Sequence, residues 1–161
     1  MRSVNIPMEE LAKLLQVQLD NGGRAVLTVT GVSMLPILRD RRDSVELVRV
    51  TKPLKRGDLI LYRRENGQYV LHRIVRADAE GFICCGDNQW EPEEVTAGQV
   101  MAVVSGFVRA GKSHSVTHKG YRLYAWLWTG LFPVRRPLIV IRRFLGKGRR
   151  SLRRFYADKR L

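Results

Sequence analysis

Three residue types that together could open a peptide bond stand in chain order, Ser33, His72 and Asp87. A serine hydroxyl needs a neighbouring base before it becomes nucleophilic, and the base needs an acid to orient it. Ser33 lies in the run Gly31-Val32-Ser33-Met34-Leu35-Pro36. Just ahead of it, Ala25-Val26-Leu27-Thr28-Val29-Thr30 alternates and is β-branched, which reads as a strand. Gly31 ends that strand with backbone freedom, and Pro36 fixes φ and stops further sheet pairing. Ser33 is therefore expected at a tight strand exit, rigid yet exposed. Met34 offers an apolar neighbour for an extended peptide, and with Pro36 it forms the expected substrate-binding pair. His72 sits inside Val70-Leu71-His72-Arg73-Ile74-Val75, another strand-like run. Asp87 belongs to Gly86-Asp87-Asn88, a turn just past the apolar run Gly81-Phe82-Ile83-Cys84-Cys85.

Elements must hold these groups. Residues 7 to 20 carry Leu11, Leu14, Leu15 and then Val17 or Leu19 at helical spacing, with Glu9 and Glu10 in the first turn. Asn21-Gly22-Gly23 stops that helix. Strands are expected over residues 25–30, 44–50, 58–63, 69–76, 81–85 and 100–108. Glu65-Asn66-Gly67 between two strand-like runs is a hairpin signal. The chain divides into an N-terminal helix and turn (1–24), a β-rich domain (25–110) and a basic aromatic tail (111–161).

The order of four short motifs carries a resemblance. Gly31-Val32-Ser33-Met34-Leu35-Pro36 is followed by Gly57-Asp58-Leu59-Ile60-Leu61, then His72-Arg73, then Gly86-Asp87-Asn88. This order and spacing resembles the signal peptidase I superfamily, which also holds the LexA-type repressor autopeptidases. The likeness runs from about Leu27 to Val108, about half of the chain. It is closer to the endoplasmic-reticulum and archaeal signal peptidases, which use Ser and His, than to the bacterial enzymes and repressors, which use Ser and Lys.

The resemblance implies a mainly β peptidase fold, with Ser33 as nucleophile and His72 as general base. Asp87 falls on the family's Gly-Asp-Asn aspartate. Such proteins also place an acid about six residues beyond it, where this chain has Glu93, with Glu91 nearby. Glutamate replaces the favoured aspartate there, so two candidates stand for the orienting acid, with Asp87 ranked above Glu93. In Asp40-Arg41-Arg42-Asp43 the family more often has a Gly-Asp turn, and here Arg42 takes the glycine place. The expected activity is a Ser/His endopeptidase acting on a signal or leader peptide, or a preprotein, with no cofactor and no metal. Two other readings are an inactive member that binds peptides or membranes, and a LexA-like self-cleaving regulator. The second needs a DNA-binding domain, and about 24 residues precede the β-domain, too few for a helix-turn-helix unit.

The remaining chemistry-bearing residues read as structural. Cys84-Cys85 lacks metal-ligand spacing and reads as buried small hydrophobes. His114 and His118 are four apart, but Gly, Ser, Thr and Val around them argue for a polar linker.

Net charge is +14 over 161 residues, and all of it lies beyond residue 108. Residues 1 to 108 hold equal numbers of basic and acidic side chains, while residues 109 to 161 hold 15 Lys and Arg against Asp158 alone. Tyr121 to Phe132 is aromatic-rich and helical in pattern. No stretch reaches the roughly 20 apolar residues of a spanning helix. Trp and Tyr flanked by Arg fit an interfacial helix on anionic lipid through residues 121–161. The alternatives are a helix packing its aromatic face on the domain, or a nucleic-acid-binding tail. The tryptophans favour the interface and make nucleic acid the weaker partner. The start, Met1-Arg2-Ser3-Val4-Asn5, shows no apolar signal region. Hence the expected location is cytoplasmic or peripheral at a membrane.

Overall fold

A computed structural model describes residues 8 to 141. The basic end of the chain, residues 142–161, lies outside the described residues, and with it part of the tail assigned to lipid. Helix α1 spans Met8–Asp20, β1 Ala25–Thr28, β2 Ser44–Val48, β3 Leu59–Arg63, β4 Tyr69–Ala77 and β5 Phe82–Cys85. Strand β6 spans Glu93–Val95, β7 Val100–Arg109, β8 Lys112–Ser115, and helix α2 Lys119–Gly130. A helical turn at Phe132–Val134 leads into further helix over residues 135–141.

All eight strands form one antiparallel sheet, ordered β1-β2-β7-β3-β4-β5-β6, with β8 paired to β7. The mainly β expectation therefore holds, and the helix and strands read from the sequence lie within a few residues of their expected positions. The sheet is buried on both faces at its centre. In β3, Leu59 and Leu61 enter one apolar cluster with Leu19, Val45, Leu47 and Val104, while Ile60 and Tyr62 enter a second with Ile74 and Cys84. Alternation along a strand sends successive side chains to opposite faces. An unbroken apolar run such as Leu-Ile-Leu-Tyr is what a strand covered on both sides requires. Glu65-Asn66-Gly67 forms the expected hairpin between β3 and β4, with Gly67 at φ +83° and the Arg64 N–H donating to the Gln68 carbonyl at 2.8 Å.

Two strands escape the sequence pattern. Strand β6 has only three residues. Strand β8 falls in the stretch expected to be a polar linker. Ala110 at φ +52° and Gly111 at φ +77° make a two-residue turn of the hairpin kind, folding Lys112 back beside Arg109. All four β8 residues are exposed, so no alternation announces it. His114 stacks on Phe107 with ring centroids 5.0 Å apart, and the His118 ring accepts from the Gly120 N–H as the N-cap of α2. The sheet thus runs past residue 110, and the 111–161 segment opens as part of it.

Candidate functional site

Ser33 is fastened by its neighbours on both sides. Gly31, at φ +89°, occupies backbone space that favours glycine, and its N–H donates to Asp40 Oδ1 at 2.8 Å. The chain then turns tightly, with the Leu38 N–H donating to the Met34 carbonyl at 3.0 Å. From across the site, the Asn88 N–H donates to the Ser33 carbonyl at 2.7 Å and Asn88 Nδ2 donates to the Val32 carbonyl at 3.1 Å. A Cβ at position 86 would fall 2.8 Å from the Ser33 oxygen and 3.0 Å from Ser33 Cβ. Glycine is therefore what allows the 86–88 turn to close on Ser33. Those residues follow directly on Cys85, whose strand partner is Arg73, the neighbour of His72. Gly86 and Asn88 hold the Ser33 loop in a way that reading the motif for its aspartate alone does not show.

Met34 departs from its expected role. Its side chain is only 1% exposed and belongs to the core cluster of Leu38, Val45 and Leu47. The tight turn after Ser33 rolls Met34 inward, so it anchors the loop and offers a peptide no surface. Pro36 is half-buried and follows a cis peptide bond.

His72 lies on β4 opposite Ile60 and is 3% exposed. Its Nδ1 is 3.0 Å from Glu93 Oε1 and 3.1 Å from the Tyr62 hydroxyl, which itself donates to Glu93. Arg64 grips the same carboxylate with two hydrogen bonds of 2.7 and 2.8 Å. Burial acts to raise the Glu93 pKa, but Arg64, Tyr62 and His72 together bring it below the ordinary value. Burial lowers the His72 pKa below 6.5, and Glu93 offsets part of that shift. The imidazole is thus neutral at pH 7. An ionised carboxylate only accepts hydrogen bonds. Nδ1 must therefore carry the proton, leaving the Nε2 lone pair as a base. Among the described residues, neither Nε2 nor Ser33 Oγ makes a hydrogen bond. Arg135 Nε is the one buried side-chain polar atom without a partner there, so both keep contact with solvent. The Ser33 and Met34 N–H groups likewise donate to no described residue.

Asp87 corrects the ranking of the acids. Its carboxylate takes two hydrogen bonds from Arg73, each 2.8 Å, and a third from the Tyr124 hydroxyl at 3.0 Å. Arg73 also donates to the Gly57 carbonyl and the Tyr121 hydroxyl. The physical reason is strand alternation. His72 faces the Ile60–Tyr62 side of the sheet, whereas Arg73 faces the other side and takes Asp87 with it. The acid at His72 Nδ1 is Glu93.

Arg73 and Asp87 are both fully buried. Removing one member of such a pair strands the other charge, at a cost of about 3–5 kcal/mol. Arg73→Met is expected to lower stability by that amount in urea titration, and Arg73→Met with Asp87→Leu to regain part of it. A loss within about 0.5 kcal/mol contradicts the assignment of this pair as the clamp of the 86–88 turn.

Cys84 and Cys85 are buried free thiols, with pKa values pushed up by burial to about 12 and about 11. They are poor nucleophiles there. No group of His, Cys, Asp and Glu that could hold a metal ion occurs among the described residues. Compared with protein-family models, curated proteins and solved structures, the chain matches none of them.

Proposed function

We propose that the chain is a serine endopeptidase of the signal peptidase I kind, with Ser33 as nucleophile, His72 as base and Glu93 as the acid that orients it. The observation that carries this reading is the Arg64–Glu93–His72 chain. It fixes the imidazole in the tautomer whose Nε2 is a base, on the residue before Arg73, whose strand partner Cys85 leads into the turn that clasps Ser33. His72 Nε2 takes the Ser33 proton as Oγ bonds to the peptide carbonyl carbon. It then returns that proton to the leaving amine as the C–N bond breaks. Water, activated by the same nitrogen, releases the acyl group. The Ser33 N–H is the oxyanion donor, worth about 3–4 kcal/mol in such sites. The Ser33–His72 hydrogen bond closes with substrate in place, as catalytic hydrogen bonds often do. Strand β1 ends the sheet and runs straight into the Ser33 loop, so its free edge suits an extended peptide adding as a strand.

The substrate class follows from the resemblance: a signal or leader peptide, met in the cytoplasm or at a membrane surface. No helix among the described residues is long and apolar enough to cross a membrane. The test is cleavage of a diverse peptide library, read by mass spectrometry, with a parallel fluorophosphonate labelling of the intact chain. The expected result is a set of cuts sharing flanking residues and a single adduct on Ser33. An adduct elsewhere, or neither cuts nor adduct, overturns the reading and returns the fold to peptide binding.

A further inference from the structure

Helix α2 is two-sided. Tyr124 and Trp128 hydrogen-bond to Asp87, Tyr121 to Arg73, and buried Arg135 donates to the Gly86 carbonyl. The packed-helix alternative therefore holds for this face. The opposite face is exposed among the described residues. Trp126 is 69% exposed, Leu123 57% and Leu127 47%. Beyond the end of α2, Leu131, Val134 and Leu138 follow in its cap, the next helical turn and the helix after that, all exposed.

The charge around this stripe is of one sign. Lys119, Arg122 and Arg136 accompany it, and from residue 119 to the end the sequence holds 13 Lys and Arg against Asp158 alone. We propose that this apolar stripe and its basic flanks dock on an anionic lipid bilayer, with Trp126 at the level of the headgroups. The chemistry selects lipid over the other polyanions. A nucleic acid would satisfy the cations and leave six large apolar side chains in water. A bilayer interface takes up both, and it asks no shape complementarity of a convex helix face. Cations near an anionic leaflet add electrostatic attraction that salt screens. Docking by this face would set the 86–88 turn, and so the Ser33 loop, close to the membrane. The inference does not depend on catalysis.

The test is co-sedimentation of the full chain with phosphatidylcholine vesicles and with phosphatidylcholine–phosphatidylglycerol vesicles, alongside tryptophan fluorescence. Binding to the mixed vesicles alone is expected, weakening with salt, with a blue shift that disappears in Trp126→Phe. Trp126→Glu with Leu127→Glu is expected to weaken vesicle binding about 100-fold. Both positions are exposed, and circular dichroism checks that the fold is kept; Leu123→Gln with Leu131→Gln serves if it is not. No binding to mixed vesicles overturns the proposal, as does binding unchanged in both double variants. Duplex DNA binding that resists those substitutions, with vesicles ignored, assigns the charge to nucleic acid and also overturns it. Sedimentation reads no cleavage, so failure of the peptidase reading leaves this result intact.

Discussion

Alanine at position 33 is expected to lower kcat against any cleaved peptide by about 10⁴- to 10⁶-fold, and alanine at position 72 by a similar factor. The two losses should not multiply. Without Ser33 there is no hydroxyl for the His72 nitrogen to deprotonate. Without His72 the hydroxyl keeps its ordinary high pKa and attacks slowly. Either change removes the same step, so the double variant should be no slower than about tenfold below the worse single one. What survives is the contribution of bound geometry and of the Ser33 N–H, which alanine retains. Single-turnover kinetics on a peptide taken from the library measures all three variants. Losses that multiply would separate the two residues and end the dyad. Unfolding is not expected to confuse the result at Ser33. Its Oγ bonds to no described residue, and its backbone clasp by Asn88 uses the carbonyl, which any residue supplies.

Much of this arrangement was legible in the sequence, for identifiable reasons. Strands β2, β3, β4 and β7 announce themselves because their apolar residues must fill two clusters, one on each face. Ser33 could be placed at a strand exit because Gly31 and Pro36 restrict the chain locally. Strand β8 could not be read, since an exposed strand has no apolar period and its turn uses Ala110 where an asparagine or glycine is more usual. Met34 looked available to a peptide because polarity says nothing about which way a tight turn rolls its next side chain. That Glu93 and not Asp87 meets His72 Nδ1 escapes the sequence for a related reason. Asp87 stands in a recognisable motif, but contact depends on the face of the sheet, and His72 and Arg73 point to opposite ones. Counting alternate positions along β3 and β4 puts Tyr62 and His72 on one side. Nothing local says that Glu93 returns to join them through a three-residue strand.

Glu93→Gln is expected to lower kcat by about 10³- to 10⁴-fold while leaving the fold intact, because it disturbs the tautomer. The new amide can donate to Nδ1, which places the ring proton on Nε2 and removes the lone pair that Ser33 needs. Arg64, which now grips the carboxylate with two bonds, keeps one acceptor oxygen, so the side chain stays in place. The pH profile carries the sign. A base must be unprotonated to act, so kcat/KM falls as pH drops through the folded-state pKa of His72. Burial already holds that pKa below 6.5, and Glu93 partly restores it. Removing the Glu93 charge therefore moves the acid limb to lower pH even as the plateau drops. Asp87→Asn should behave in the opposite way. It leaves Arg73 buried with a weakened partner, so the urea midpoint falls. The tautomer is undisturbed, so turnover per folded molecule changes far less than in Glu93→Gln. An acid limb that moves with Asp87→Asn and not with Glu93→Gln would restore Asp87 as the orienting acid. The geometry points the other way, because Arg73 holds the Asp87 carboxylate on one face of the sheet while His72, the next residue along the strand, presents its ring on the other.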